Sequence, residues 1–265
     1  MEEKYITFND TIIFYKTIGK GLPVVFVHGF AEDSSIWDKQ VEFLKDKYHL
    51  IVPDLPGSGR SAMINQKDAG LEDYAEVLNK ILQAEKIEKC IMIGHSMGGY
   101  TTLAFAEKYP GSLTGFGLFH SSAYADDDAK LQTRKKAIDF IRSNGTDAFL
   151  KTTIPGLFYK PDNSEDVNAL IERGRSFKPE ALIQYYEAMM ARPDRTTILR
   201  EAAVPVLFVM GEHDKAVPFK HSLEQSHLPG YSFIDILRNS AHMGMLEEAP
   251  KANKILANFL LAGSL

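Results

Sequence analysis

The sequence CIMIGHSMGGYTTLAFA occupies residues 90–106 and decides the fold. Its first four residues form an apolar run, the pentapeptide GHSMG follows at 94–98, and a second apolar run with two alanines comes directly after. The first run predicts a buried strand and the second predicts a helix, so the G-x-S-x-G motif lies at a strand-to-helix turn. Glycine at positions 94 and 98 lets the strand and the helix approach closely. The turn therefore presents the Ser96 hydroxyl as a nucleophile above the sheet edge.

A serine hydroxyl is a poor nucleophile at neutral pH, so Ser96 requires a histidine base and a carboxylate that orients this base. Asp214 follows the predicted buried strand at 206–210, and His242 follows the predicted strand at 232–237. The order Ser, Asp, His, with each residue in a loop after a strand, predicts a catalytic triad. Glu212 lies in the same loop as Asp214 and is an alternative acid. The acidic run at 126–128 is another, although acids ahead of a helical segment favour the capping of its N-terminus.

Two further motifs precede these residues: HGF at 28–30 and DLPGSGRS at 54–61, each after a predicted strand. In this order the five motifs, which span nearly the whole chain, resemble the α/β-hydrolases. They are most similar to the capped members: small esterases, haloperoxidase-like perhydrolases, carbon–carbon bond hydrolases and enol-lactonases. The turn itself supplies one oxyanion donor, the amide of Met97 at a helix N-terminus. The resemblance implies that the amide of Phe30 supplies the other. A Gly-Gly-Gly run is missing here, which favours the small capped branch.

The chain predicts an α/β fold with a mostly parallel, doubly wound sheet of about eight strands. Strand and helix signals alternate along the chain except between the predicted strands at 113–119 and 206–210. That interval has helix-like segments, broken by proline and glycine, and no convincing strand. It reads as a helical cap inserted after the sixth strand. We therefore expect a core domain at 1–121 and 201–265 and a cap domain at 122–200.

The predicted cap is rich in aromatic residues and methionine. Each such residue can simply bury the cap against the core, but some of them are expected to face a ligand, because ligand sites are mostly apolar. We predict His120, Phe158 and Tyr186 as pocket residues. The charges from 126 to 200 nearly balance, which argues against a multiply anionic substrate.

Composition excludes several classes of function. The net charge of -5 without a long basic block argues against a nucleic-acid partner. The single cysteine, Cys90, begins the predicted strand before Ser96 and is interpreted as a small core residue; one cysteine excludes an internal disulfide framework. No leader pattern is present at the N-terminus and no apolar stretch approaches about twenty residues, so a soluble, cytoplasmic protein without membrane contact is expected. The triad needs neither metal nor cofactor, and the histidines at 213, 221 and 227 lack metal-ligand spacing.

Two more groups receive structural interpretations. His95 is interpreted as a packing residue beside the nucleophile. The segment 192–195, Arg-Pro-Asp-Arg, is interpreted as an ion cluster at the surface or at a cap hinge.

The predicted function is hydrolysis of a small, largely apolar carboxylic ester through an acyl-enzyme on Ser96. Carbon–carbon bond hydrolysis, perhydrolysis and acyl transfer use the same triad, so the motifs leave them open. A small-molecule receptor with little turnover is an alternative of another class. The partner expected in each case is a small molecule, and the sequence leaves the oligomeric state open.

Overall fold

The computed structural model describes residues 1–66, 68–162 and 164–262, and its strands form one sheet. In chain order the strands are β1 (Glu2–Phe8), β2 (Thr11–Ile18), β3 (Leu22–Val27), β4 (Tyr48–Pro53), β5 (Cys90–His95), β6 (Leu113–Phe119), β7 (Val206–Gly211) and β8 (Ser232–Leu237). Their order across the sheet is β1-β2-β4-β3-β5-β6-β7-β8. The pairs β1/β2 and β2/β4 are antiparallel and the other pairs are parallel. This arrangement confirms the predicted α/β class and the mostly parallel sheet of about eight strands.

Helices cover both faces of the sheet. In chain order they are α1 (Asp38–Leu44), α2 (Leu71–Ala84), α3 (Met97–Lys108), α4 (Asp128–Thr153), α5 (Glu165–Gly174), α6 (Pro179–Ala191), α7 (Thr196–Arg200), α8 (Phe219–Gln225), α9 (Gly244–Glu247) and α10 (Ala249–Ala262). Helix α2 packs against α3, and α1 packs against α10. In α2 the residues Tyr74, Leu78 and Ile81 are buried at helical spacing, so one face of this helix is apolar. No helix within the described ranges is both long and apolar enough to cross a membrane.

The central strands β5 and β7 are buried along their whole length, and except for His95 at the end of β5 their residues are apolar or glycine. A parallel sheet needs cover on both faces, so its strands carry continuous apolar runs instead of alternating ones. The carboxyl ends of parallel strands meet at one edge of the sheet. The segments after β3, β5, β7 and β8, which carry Phe30, Ser96, Asp214 and His242, therefore converge at that edge.

Helices α4 to α7 form the connection between β6 and β7, and we call them the helical insertion. Within its described residues this connection has no strand. Helix α4 is broken at Gly145, whose φ of 79° suits glycine and interrupts the helical backbone. This position belongs to the Asn144-Gly145 pair at which the sequence predicts a break. Helix α4 packs against α5 and α6. A separate cap domain with bounds 122–200 stays a prediction.

Candidate active site

Ser96 occupies a strained turn between β5 and α3. Its backbone has φ 51° and ψ -115°, a conformation that residues other than glycine rarely adopt. A Cβ at Gly94 would lie 2.2 Å from the carbonyl oxygen of Gly98, and a Cβ at Gly98 would lie 2.4 Å from the carbonyl oxygen of Val27. Both distances are well inside van der Waals contact. The glycines at 94 and 98 are therefore required by the close approach of strand and helix.

Three side chains from different loops meet at the sheet edge. The Nε2 atom of His242 lies 2.9 Å from the Oγ of Ser96, and its Nδ1 lies 2.8 Å from the Oδ2 of Asp214. His242 and Asp214 are both buried. A carboxylate only accepts hydrogen bonds, so the Nδ1 of neutral His242 carries the proton and Nε2 is free to accept one from Ser96. This is the arrangement of a nucleophile, a base and an orienting acid.

Asp214 is held as a carboxylate by its surroundings. Its Oδ1 accepts hydrogen bonds from the backbone amides of Ala216 at 2.8 Å and Val217 at 2.9 Å. Burial alone would raise the pKa of Asp214, but His242 and His120 outweigh burial and hold this pKa well below its usual range. The acid therefore stays ionised throughout the neutral pH range. Glu212, the alternative acid in the same loop, is exposed and makes no described contact with His242.

His120 lies behind the acid, which corrects its prediction as a pocket residue. Its ring is fully enclosed and does not line the cavity over Ser96. The amide of Gly244 donates to its Nε2 at 3.2 Å, so the ring proton resides on Nδ1, which lies 3.5 Å from the Oδ2 of Asp214. Burial lowers the pKa of His120 to about 4, so the ring is neutral at pH 7. The N–H dipole of His120 therefore supports the negative charge of Asp214.

Two backbone amides near Ser96 lack a described acceptor. The amide of Met97 is the first of helix α3, where no intrahelical carbonyl can reach it. The amide of Phe30 follows β3, and no hydrogen bond of the described residues uses it. The ring of Phe30 packs on Tyr186 of α6, with 4.4 Å between ring centroids. The helical insertion thus covers the loop that carries this amide. Their role as oxyanion donors stays a prediction.

A second histidine–carboxylate pair lies beside the first, and the sequence did not reveal it. His95 Nδ1 lies 3.0 Å from the Oε2 of Glu32, and His95 Nε2 lies 2.9 Å from the backbone oxygen of His242. Both contacts are with acceptors, so the ring must supply a proton to each. Glu32 Oε2 also accepts from the amide of Gly29 at 2.7 Å. His95 is therefore a polar link between the loop after β3 and the loop that carries His242.

The proton between Glu32 and His95 belongs to the histidine. Burial would raise the pKa of Glu32, but the charge of His95 outweighs it and lowers this pKa. Burial would lower the pKa of His95, but Glu32 outweighs it and raises this pKa. The pair is thus a buried carboxylate and imidazolium. A glutamate two residues after HGF and a histidine before the nucleophile were visible in the sequence, but their contact was not.

Replacing Glu32 with glutamine should lower the free energy of unfolding by about 1 to 3 kcal/mol, because a charge-assisted hydrogen bond becomes a neutral one. The effect should depend on pH. A lowered pKa of Glu32 contributes stability above the ordinary value of 4.5 and loses it as pH falls. A raised pKa of His95 contributes stability below 6.5 and loses it as pH rises through the folded-state pKa. Urea unfolding at pH 5.5 and pH 9 should therefore show the larger difference at pH 5.5.

The matched control is Glu42→Gln, at an exposed glutamate whose one ion pair among the described residues is with Lys45. This change should alter the free energy of unfolding by less than about 0.5 kcal/mol at either pH. An effect of Glu32→Gln that is equal at both pH values would contradict the ionised pair.

One cavity of about 830 Å³ opens above Ser96 and His242. Tyr186 lines it, as the sequence predicts, together with other apolar and aromatic side chains: Phe30, Tyr100, Leu157, Met189 and Val217. Phe158 is buried and does not line the cavity, although the preceding residue, Leu157, does. The prediction of Phe158 as a pocket residue is therefore wrong. Burial in the hydrophobic core, and not contact with the cavity, accounts for its apolar side chain.

The charged groups of the helical insertion also differ from their sequence interpretation. Asp127 caps α4 by accepting from the amide of Lys130 at 2.8 Å, whereas Asp126 is a fully buried ion partner of Arg134 and Arg192. Arg192 and Arg195 are buried, so the segment 192–195 is not a surface cluster. Within the described ranges, no group of three or more His, Cys, Asp or Glu side chains is arranged to hold a metal ion.

Comparison with known proteins agrees with the fold described above. Residues 23–136 match the family model described as alpha/beta hydrolase fold. A thermophilic esterase from Thermogutta terrifontis, solved with malate bound, superposes with a TM-score of 0.92 and is 27% identical, with 99% of each chain covered.

Two curated relatives are similar over most of their length. A bifunctional esterase/perhydrolase from Acinetobacter calcoaceticus is 26% identical, over 84% of this chain and 86% of its own. A 2-hydroxy-6-oxo-6-phenylhexa-2,4-dienoate hydrolase from Comamonas testosteroni is 24% identical, over 95% of this chain and 92% of its own.

Proposed function

Because the chain is a hydrolase with the α/β-hydrolase fold, we propose that it is a serine esterase. Its substrate is a small, largely apolar carboxylic ester, and the reaction passes through an acyl-enzyme on Ser96. The observation that carries the proposal is the continuous contact from Ser96 Oγ to His242 Nε2 at 2.9 Å and from His242 Nδ1 to Asp214 Oδ2 at 2.8 Å. The apolar lining of the cavity above Ser96 supports the apolar character of the substrate.

In the first half of the reaction, Ser96 Oγ attacks the ester carbonyl carbon while its proton moves to His242 Nε2. The carbonyl oxygen becomes an oxyanion that the amides of Phe30 and Met97 stabilise. Asp214 stabilises the imidazolium that forms. When the tetrahedral intermediate collapses, the bond to the alcohol oxygen breaks and His242 returns its proton to that oxygen. The acyl group then remains on Ser96 as an ester.

In the second half, water takes the place of the alcohol. His242 accepts a proton from the water as its oxygen attacks the acyl carbon, and the same two amides bind the second oxyanion. Collapse of this intermediate breaks the bond to Ser96 Oγ, which regains its proton from His242. The products are a carboxylic acid and the free enzyme.

Other reactions are alternatives, because the similar proteins include an esterase/perhydrolase and a dienoate hydrolase. Carbon–carbon bond hydrolysis, perhydrolysis and acyl transfer would use the same three side chains. Carbon–carbon bond hydrolysis would act on a dienone acid instead of an ester. In perhydrolysis and acyl transfer, another acceptor would replace water. A receptor with little turnover would bind a ligand in the same cavity without releasing product.

A panel of p-nitrophenyl esters graded in acyl length, assayed beside a dienone acid, tests the proposal. We expect turnover of the esters, with a maximum at one acyl length, and little cleavage of the dienone acid. Faster cleavage of the dienone acid would assign the carbon–carbon reaction instead. Absence of turnover for every ester would favour the receptor.

Tyr186 and Phe158 form a matched pair for testing the pocket, because both are buried aromatic residues of the helical insertion and only Tyr186 lines the cavity. Tyr186→Ala should shift the preferred acyl length upward, and the ratio of kcat/KM between long and short esters should change by about ten- to fifty-fold. The estimate rests on about 0.8 kcal/mol per buried methylene over two or three carbons.

Phe158→Ala should lower stability without moving that ratio. Equal losses toward short and long esters in Tyr186→Ala would instead make its ring purely structural.

A further inference from the structure

The cavity over Ser96 has one cationic wall within a mostly apolar lining. Lys130, Arg134 and Arg192 all line the cavity that also contains Ser96 and His242. Lys130 and Arg134 lie one turn apart on α4, and Arg192 follows the end of α6. The proposed mechanism uses none of these cations. Charged groups in an apolar cavity are costly unless they have a partner, so the partners of these three decide their role.

The charges in this wall do not balance. Asp126, whose side chain is fully buried, pairs with both arginines: its Oδ2 lies 2.5 Å from Arg134 Nε, and its Oδ1 lies 2.9 Å from Arg192 Nη2. Lys130 donates to the carbonyl oxygen of Ala216 and forms no ion pair with a described carboxylate. The wall therefore holds three cations against one buried carboxylate. At least one positive charge facing the cavity is left without a counter-ion.

Arg134 holds an N–H donor without a strong acceptor. Its Nη1 contacts only the sulfur of Met189, at 3.2 Å, and a thioether is a weak acceptor. The side chain of Arg134 is 10% exposed. Arg192 is fixed differently, because its Nη1 donates to the carbonyl oxygen of Met189 and its Nη2 to that of Tyr124. Arg192 thus shapes the wall, and Arg134 offers an unused N–H group.

Acidic residues at the cavity mouth do not cancel this charge. Asp127, Asp194 and Glu224 line the mouth but are exposed, as is Lys215. Asp127 and Asp194 already accept backbone hydrogen bonds, from Lys130 and Thr196. Water and salt screen exposed charges much more strongly than buried ones. The buried part of the wall keeps its positive field.

The positive field of the wall lowers the pKa of Tyr100, which also lines the cavity. The guanidinium of Arg192 lies over its ring, 3.9 Å from the ring centroid. Burial would raise the pKa of Tyr100, but Arg192, Lys130 and Arg134 outweigh burial and lower it. An anionic group placed beside this ring would be stabilised by the same three cations.

The cationic wall lies within reach of a substrate on Ser96. The Cζ of Arg134 is 5.7 Å from the ring centroid of Tyr186, and that ring is 4.4 Å from the ring of Phe30. Laid end to end, these distances place Arg134 within about 10 Å of the ring that follows the proposed oxyanion amide. Phe30, Ser96 and Arg134 also line the same cavity, so one ligand in it can contact all three residues.

We propose that Arg134, with Lys130 beside it, binds a carboxylate of the substrate, so that the natural substrate is an ester that also carries one free acid group. This inference rests on the proposed esterase function. The remaining substrate is apolar, in keeping with the rest of the lining.

The test compares charged esters with neutral esters of the same shape. p-Nitrophenyl hydrogen adipate is paired with the p-nitrophenyl ester of adipamic acid, which places the charge on the acyl side. 4-Acetoxybenzoate is paired with 4-acetoxybenzamide, which places it on the alcohol side. For each pair we take the ratio of kcat/KM for the charged ester to kcat/KM for the neutral ester. In at least one pair this ratio should be about tenfold or more higher in the wild type than in Arg134→Gln, because the variant loses a charge-assisted hydrogen bond. Because each value is a ratio, a general loss of activity cancels.

The matched control is Arg142→Gln, at an exposed arginine of the same helix that does not line the cavity. This variant should keep the wild-type ratios. Ratios that are the same in wild type and Arg134→Gln for both pairs would overturn the carboxylate site. Absence of turnover for all four esters would instead overturn the esterase function.

A measurement on the wild type covers the case in which Arg134→Gln does not fold. Adipamate, which carries one carboxylate, should inhibit hydrolysis of p-nitrophenyl acetate competitively, with an inhibition constant about tenfold or more below that of the neutral diamide, adipamide. Equal inhibition by adipamate and adipamide would overturn the proposal.

Discussion

Replacing Ser96 with alanine should lower kcat for a p-nitrophenyl ester by about 10⁴- to 10⁶-fold and abolish covalent labelling by a fluorophosphonate probe. The acyl-enzyme cannot form without the hydroxyl oxygen, and the remaining rate would come from the oxyanion donors and binding alone. Steady-state kinetics measure the first effect. Mass spectrometry of the labelled peptide measures the second, with the adduct expected on Ser96 in the wild type.

Ser122→Ala is the matched control for this experiment. Ser122 lines the same cavity, but its hydroxyl is hydrogen-bonded with Gln225 and makes no described contact with His242. This variant should therefore keep the label at Ser96. An adduct on Ser58, Ser121 or another residue would reject Ser96 as the nucleophile.

Asp214→Asn should lower kcat by about 10⁴-fold while the protein stays folded. The amide oxygen of asparagine can keep the two hydrogen bonds from Ala216 and Val217, which leaves its NH₂ group facing His242 Nδ1. Nδ1 must then accept a hydrogen bond, so the imidazole proton moves to Nε2. In that tautomer Nε2 cannot take the proton of Ser96. Kinetics measure the loss, and circular dichroism checks the fold.

Glu212→Gln is the control, because Glu212 lies in the same loop and is exposed. It should keep kcat within a few-fold of the wild type. Near-wild-type turnover by Asp214→Asn, together with a large loss in Glu212→Gln, would move the acid to Glu212.

The sequence predicted the sheet and the meeting of Ser96, Asp214 and His242, because both depend on local signals. Apolar runs mark the buried strands, and the glycines at 94 and 98 mark the turn. The convergence of the three loops then follows from one topological fact, since the carboxyl ends of parallel strands share an edge. Predicting this convergence required no knowledge of contacts between side chains that are distant in the sequence. For the same reason the bounds of the elements were close, as at β6 and β8.

Side-chain direction was not available from the same signals. His120 ends a strand at the correct edge, but its ring turns behind Asp214 because the amide of Gly244 binds it there. Phe158 belongs to an apolar segment that borders the cavity, but its side chain is buried in the hydrophobic core. A strand end or an apolar segment indicates which part of the fold a residue belongs to. Only the packed structure fixes which neighbours its side chain meets.

The amino-acid sequence by itself determined the fold, the nucleophilic turn and the order of the catalytic candidates, since these follow from periodicity, glycine positions and strand direction. Only the tertiary structure decided the electrostatics of the site. Asp126 meets Arg192 across 66 residues, and Glu32 meets His95 across 63. The near balance of charge along 126–200 conceals a cavity wall in which three cations face one buried carboxylate. Electrostatic energy depends on distance and burial, and a sequence specifies neither until the chain has packed.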